Sequence, residues 1–308
     1  GRYGWRGWVG CRRRRAWSSR PTLQPQPHGQ HGAQHDKRPA QHGGGINLLE
    51  PFMTDRDKQY YRDFRIAESG WILKEQKVQA AMDARSNANV PESNIWSGAF
   101  LLRTALDYPD LPDAAEYREK ATDLFVNGIS HPSDVADDST IYGGKTVRER
   151  HKGFNYTPSY SLDHHGYLNV GYMLICLSNI AMLHFNLKQR GQSAPPEIYH
   201  HARDLWNVVK RFFTFPDGRL LRIGGDTRAR YTYCQCYAIP SWLLMADLYG
   251  DTDAVSFENA WLDVMAREAN ANDDGMFYSK RLSGLRDTSY FYYCRLESDP
   301  VLALSCGA

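Results

Sequence analysis

From about residue 55 onward, apolar residues recur along this chain at helical spacing, in blocks separated by polar breaks rich in Asn, Pro and Gly. The pattern predicts a helix over 68–88 and another over 95–106, with Asn87-Ala88-Asn89-Val90-Pro91 as the breaker between them. A third helix is predicted over 113–126, where Tyr117, Ala121, Leu124 and Phe125 share one face. The stretch 127–162 loses this periodicity and reads as a long polar loop, a feature that in compact domains often carries function. Residues 169–186 resume as a helix apolar almost all round, as expected of an element surrounded by others. Pro196 then opens an outer helix whose stripe is Ala202, Leu205, Trp206, Val209, Phe212 and Phe213.

Phe215-Pro216-Asp217-Gly218 breaks that helix, 219–223 reads as a short extended piece, and Gly224-Gly225 turns the chain. A helix over 236–249 stops at Gly250, and the last periodic block, 254–268, turns Phe257, Ala260, Trp261 and Val264 inward. All-apolar helices alternating with one-faced ones, joined by short links, predict an all-α fold of helical hairpins, an incomplete (α/α) toroid.

Composition adds a boundary at the start. The first 45 residues hold nine Lys and Arg against one acidic residue, while the remainder carries a net charge of −6. With Arg12 to Arg15, Gln/Pro alternation, scattered His and Gly43-Gly44-Gly45, segment 1–45 is expected to be a disordered basic leader. Arg-rich disorder alone is a weak sign of nucleic acid, so no nucleic-acid partner is predicted. No apolar core follows the arginines, which argues against a secretory signal. The most apolar run, 170–185, is interrupted by Ser178, Asn179 and His184 and reads as a buried helix too short to span a membrane. Six unevenly spaced cysteines suit small core residues in a reducing compartment, so a cytoplasmic location is favoured. Cys234-Gln235-Cys236 lacks the spacing of a zinc or redox pair, and no metal or cofactor is predicted.

Two polar clusters carry the candidate chemistry. The first, Asp163-His164-His165-Gly166 followed by Asn169 and Tyr172, sets acid, imidazole, amide and phenol on a loop feeding the apolar helix. The second, Asp226, Arg228, Arg230, Tyr231 and Tyr233, follows Arg222 about sixty residues later. Guanidinium groups suit a carboxylate or sulfate, and they suit a phenol as a proton carrier by lowering its pKa. Bland roles compete at each position. The His pair and Asn169 can cap a helix, Trp96 and Tyr172 can be core aromatics, the arginines can be ion-paired, and His200-His201 suits a structural place on the outer helix.

The Asp163-His164-His165-Gly166 loop, its helix through Ser178-Asn179, Asp217-Gly218, Gly225-Asp226-Thr227 and Tyr231 together resemble the α/α-toroid region of heparinase II/III-like polysaccharide lyases. The resemblance implies β-elimination on an acidic, uronate-containing polysaccharide or oligosaccharide. His164 stands where that family has an Asn, His165 matches its His, and Tyr231 is its Tyr, with Tyr233 as the rival. It further implies carboxylate neutralisation by His164, Arg228, Arg230 and Arg222, sugar contacts from Asn169, Tyr172, Tyr233 and Trp96, and orientation by Asp163 and Asp226. The catalytic toroid would then cover 46–275. Residues 276–308, with the aromatic run at 290–293, would begin a truncated β-sandwich domain or be a C-terminal extension, making this chain a fragment. Two other classes fit the same residues. One is an inverting glycoside hydrolase on an α/α toroid, using Asp163 and Asp226, and the other is a toroid that binds glycan without turnover.

Overall fold

The computed structural model describes residues 49–82, 89–222 and 234–306. The expected leader disorder over 1–45, the Gly224-Gly225 turn and the second polar cluster lie outside the described residues. Among those described, the chain is mostly helical, and strand is confined to two short ribbons.

α1 (Asp55–Glu75) begins well before the predicted 68–88 and ends before it. Thr54 starts it with a capping box, its hydroxyl accepting from the Asp57 amide while the Asp57 carboxylate accepts from the Thr54 amide. Only Arg65, Ser69 and Ile72 are buried along it, so it lacks the apolar stripe that periodicity detects. Local pairs such as Gln59 with Asp63 support its polar face instead.

Three apolar helices form the interior row. α2 (Pro91–Asp107) has Pro91 in its first turn, and its side chains are buried as far as Ala105 except at Ser97. α4 (Val170–Gln189) is capped by Asn169, whose Oδ1 accepts from the Tyr172 amide. α6 (Ala238–Tyr249) stops at Gly250, which takes the left-handed conformation at φ 63°. α2 packs on α4, and α4 on α6. α3 (Ala114–Val126) lies against α2, α5 (Ala202–Val208, continuing as a π-helical turn, Val209–Phe213) against α4, and α7 (Thr252–Ala271) against α6. Asp107, at the C-terminus of α2, accepts from Arg65 of α1 and ion-pairs with Arg190 beyond α4, tying three helices together.

α4 is, by length and composition, long and apolar enough to cross a membrane, contrary to the expectation that 170–185 is too short. Its most apolar window is nevertheless 78% buried within the protein, as expected of a core helix.

The expected start of a β-sandwich after residue 276 is overturned. α8 (Ser283–Thr288) and α9 (Tyr290–Leu304) occupy that segment, and α9 packs on α6. The aromatics at 290–293 suggest strand by propensity, but the buried side chains of α9 include Leu296, Pro300 and Ala303, one helical face. Tertiary packing overrides local preference here.

The long loop 127–162 contains a 3-10 turn (Pro132–Ala136), a ribbon of β1 (Ile141–Tyr142) with β2 (Lys145–Thr146), and one helical turn (Val147–Arg150). Buried amides hold it in place. Asn127 donates to the carbonyls of Asp123 and Arg150, Asn155 to those of Asn127 and Gly128, and Asn94 to those of Gln79 and Asn127. Each bond satisfies a backbone group that burial would otherwise leave without water. Gly153 is dictated by close approach, since a Cβ there would lie 2.1 Å from the Ala80 carbonyl oxygen.

Candidate active site

The first polar cluster is built on a tight hairpin. β3 (Asp163–His164) pairs antiparallel with β4 (Tyr167–Leu168), and the connecting pair His165-Gly166 has φ of 62° and 81°. Positive φ at both central positions is what a two-residue hairpin turn demands, and His enters this region more readily than most side chains. Strand alternation sends His164 inward, where it is buried, and leaves Asp163 exposed; the turn leaves His165 exposed.

The two imidazoles meet edge to face with centroids 4.2 Å apart. Tyr172, on the first turn of α4, completes the group at 4.4 Å from the His164 ring and 5.1 Å from that of His165. His164 Nδ1 lies 2.7 Å from Asn89 Oδ1. Both Asn89 amide hydrogens are spent on carbonyls, those of Ala81 and Asn155, so its oxygen must face the ring and Nδ1 must carry the proton. In the neutral ring Nε2 is therefore the acceptor nitrogen. Asn89 sits two residues before α2, so this bond ties the entrance of α2 to the entrance of α4.

A third helix entrance reaches the same region. Partly buried Arg222 stands within electrostatic reach of the Tyr167 phenol on β4 and of Cys234, just ahead of α6. Burial lowers the Arg222 pKa below the ordinary arginine value, and these two neighbours oppose that shift. Gln235 closes the base of this region, accepting from the Leu220 amide and donating to the Gly218 carbonyl. The starts of α2 and α4 thus come together around the hairpin, with Arg222 and Cys234, ahead of α6, within electrostatic reach of it. Helix N-termini carry partial positive charge and unpaired amides, which favours an anion between them.

The structure brings together His164, His165, Asn169 and Tyr172 of the predicted set, and sets Arg222 within electrostatic reach of Tyr167 on the same hairpin. Asn169 acts as the α4 cap and also donates to the His164 carbonyl at 3.3 Å. Trp96 is buried in the hydrophobic core on α2. Asp226, Arg228, Arg230, Tyr231 and Tyr233 lie outside the described residues. Sequence reasoning missed Asn89, which reads as part of a breaker yet holds the His164 ring. The usable signal was a polar residue two places ahead of Pro91, immediately before an apolar helix.

Comparison of the chain with protein-family models, curated proteins and solved structures yields no match.

Proposed function

We propose that this protein is a polysaccharide lyase-like enzyme that cleaves uronate-containing glycans by β-elimination, on a frame that is an incomplete α/α toroid. The observation that carries this reading is the meeting of the α2 and α4 entrances at an imidazole pair and a phenol, with a guanidinium within electrostatic reach. The row of α2, α4 and α6, flanked by α3, α5 and α7, supports the toroid.

Elimination removes the C5 proton of a uronate, forms the C4–C5 double bond from that electron pair, and breaks the C4–O bond as the leaving oxygen takes up a proton. The transient charge falls on the carboxylate, so cationic and amide donors fixed beside it supply the largest stabilisation. Arg222 and the helix entrances suit that role. Exposed His165 suits removal of the C5 proton, and His164, fixed in one tautomer by Asn89, positions it through the ring contact. Tyr231 is assigned to protonate the leaving oxygen, with Tyr233 as its rival, and Arg228 and Arg230 to the carboxylate.

The test is a product spectrum on a panel of uronate polysaccharides. The expected result is a rise in the ultraviolet band of the unsaturated uronate, lost in Tyr231→Phe. New reducing ends without that band, lost in Asp226→Asn, would instead establish hydrolysis. Glycan retention with no product would reduce the protein to a binder, and either outcome overturns the lyase reading.

A further inference from the structure

A third polar cluster, Asp134 with His200 and His201, lies on elements that the proposed elimination does not use. Asp134, on the 3-10 turn Pro132–Ala136 of the long loop, is 1% exposed and faces His200 and His201, which lie between the 3-10 turn Pro196–Tyr199 and α5. Asp134 Oδ2 is 3.3 Å from His200 Nε2, and Asp134 Oδ1 is 2.7 Å from His201 Nε2. One donor atom from each of the three residues lies within 4.8 Å of the others.

We propose that Asp134, His200 and His201 form a binding site for a divalent transition-metal ion of the zinc class, with a fourth position left to water. Two imidazole nitrogens and one carboxylate oxygen are a donor set that such ions prefer and that Mg²⁺ and Ca²⁺, which seek oxygen, do not. Bonds of about 2.0–2.2 Å in tetrahedral geometry put neighbouring donor atoms roughly 3.3–3.5 Å apart. The two imidazoles reach different oxygens of the Asp134 carboxylate, Oδ2 at 3.3 Å and Oδ1 at 2.7 Å, so an ion would draw the three donor atoms, already within 4.8 Å of one another, into this spacing by a small turn of the carboxylate.

The surroundings resemble the outer shell of a metal site. Asp204 Oδ2 lies 3.1 Å from His201 Nδ1, the carboxylate–imidazole arrangement that fixes a ligand ring and raises its basicity. The Tyr160 hydroxyl lies 2.9 Å from the same nitrogen, and the His131 backbone amide donates to Asp134 Oδ2 at 2.8 Å. His131 itself is otherwise engaged, its ring accepting from the Ser133 amide and stacking on Tyr160. His201 is also held at φ 53°, a left-handed conformation that costs energy in a non-glycine residue and aims its ring at Asp134. An ion here would staple the long loop to the outer helical layer.

The experiment takes the full chain through a chelator, then titrates Zn²⁺ and Co²⁺, with Mg²⁺ and Ca²⁺ as separate arms, reading bound metal per chain and the visible spectrum of Co²⁺. The expected result is one tightly held Zn²⁺ per chain and a Co²⁺ spectrum of a low-coordinate nitrogen/oxygen site. Asp204→Asn, at a half-exposed position that does not threaten the fold, is expected to weaken the metal 10- to 100-fold, and His201→Gln to abolish the Co²⁺ spectrum. No retained Zn²⁺, a preference for Mg²⁺ or Ca²⁺, or Zn²⁺ binding unchanged in both variants overturns the proposal. The last outcome is what ions held by leader histidines such as His28 and His31 would give.

Discussion

His165→Asn is expected to lower kcat/KM on a uronate glycan by about 100- to 10,000-fold, the range for loss of a positioned proton-transfer group. Asn is the informative replacement because it also enters the left-handed region, so the His165-Gly166 turn and the pairing of β3 with β4 survive. The residue is exposed, so its removal leaves no cavity in the core. Unchanged unfolding by urea alongside the kinetic loss places the effect in chemistry. A loss below tenfold would remove His165 from the proton-transfer role.

Arg150→Met is expected to cost about 3 kcal/mol of stability, the lower end for removing one member of a buried ion pair. The Arg150 side chain has no exposed surface, and its guanidinium reaches Asp123 and both oxygens of Glu119. It also donates to the Tyr142 and Gly143 carbonyls, at 2.8–3.0 Å and 3.3 Å. Methionine fills much of the volume but leaves these carbonyls and the Asp123 carboxylate without a donor. The lower end applies because Glu119 is 41% exposed and water takes over part of the lost contact. The measurement is the urea midpoint, which should fall with little change in slope. An unchanged midpoint would mean that the long loop is not secured through this residue.

Apolar periodicity located α2, α3, α4, α6 and α7 because each buries a face or is buried all round, and burial is what hydrophobic spacing records. It failed on α1, which buries little apolar surface and docks on α2 largely through polar contacts, Arg65 with Asp107 and Ser69 with Thr104. It also failed on α9, where four consecutive aromatic or β-preferring positions hid a helical face of Leu296, Pro300 and Ala303. The order within the long loop comes from side-chain amides bonding to distant carbonyls, and such partners leave no periodic trace. The same limit hid the candidate site's organising contact. His164 and Tyr172 were visible as residue types, but the tautomer-setting partner, Asn89, is 75 residues away in sequence. His200-His201 looked like a structural pair on an outer helix, and only the fold brings Asp134 to it.

An anionic sugar is expected to sit where the entrances of α2 and α4 meet at the His164-His165 hairpin. Imidazole NMR on the Tyr231→Phe chain, titrated with a uronate oligosaccharide, tests it most directly, because His184 is an internal control locked between Tyr199 and Asp247. The expected result is saturable shifts of the His164 and His165 ring signals, with the His184 signal unmoved and no response to a neutral oligosaccharide of the same length. Shifts confined to other histidines, or equal shifts with the neutral sugar, would contradict it.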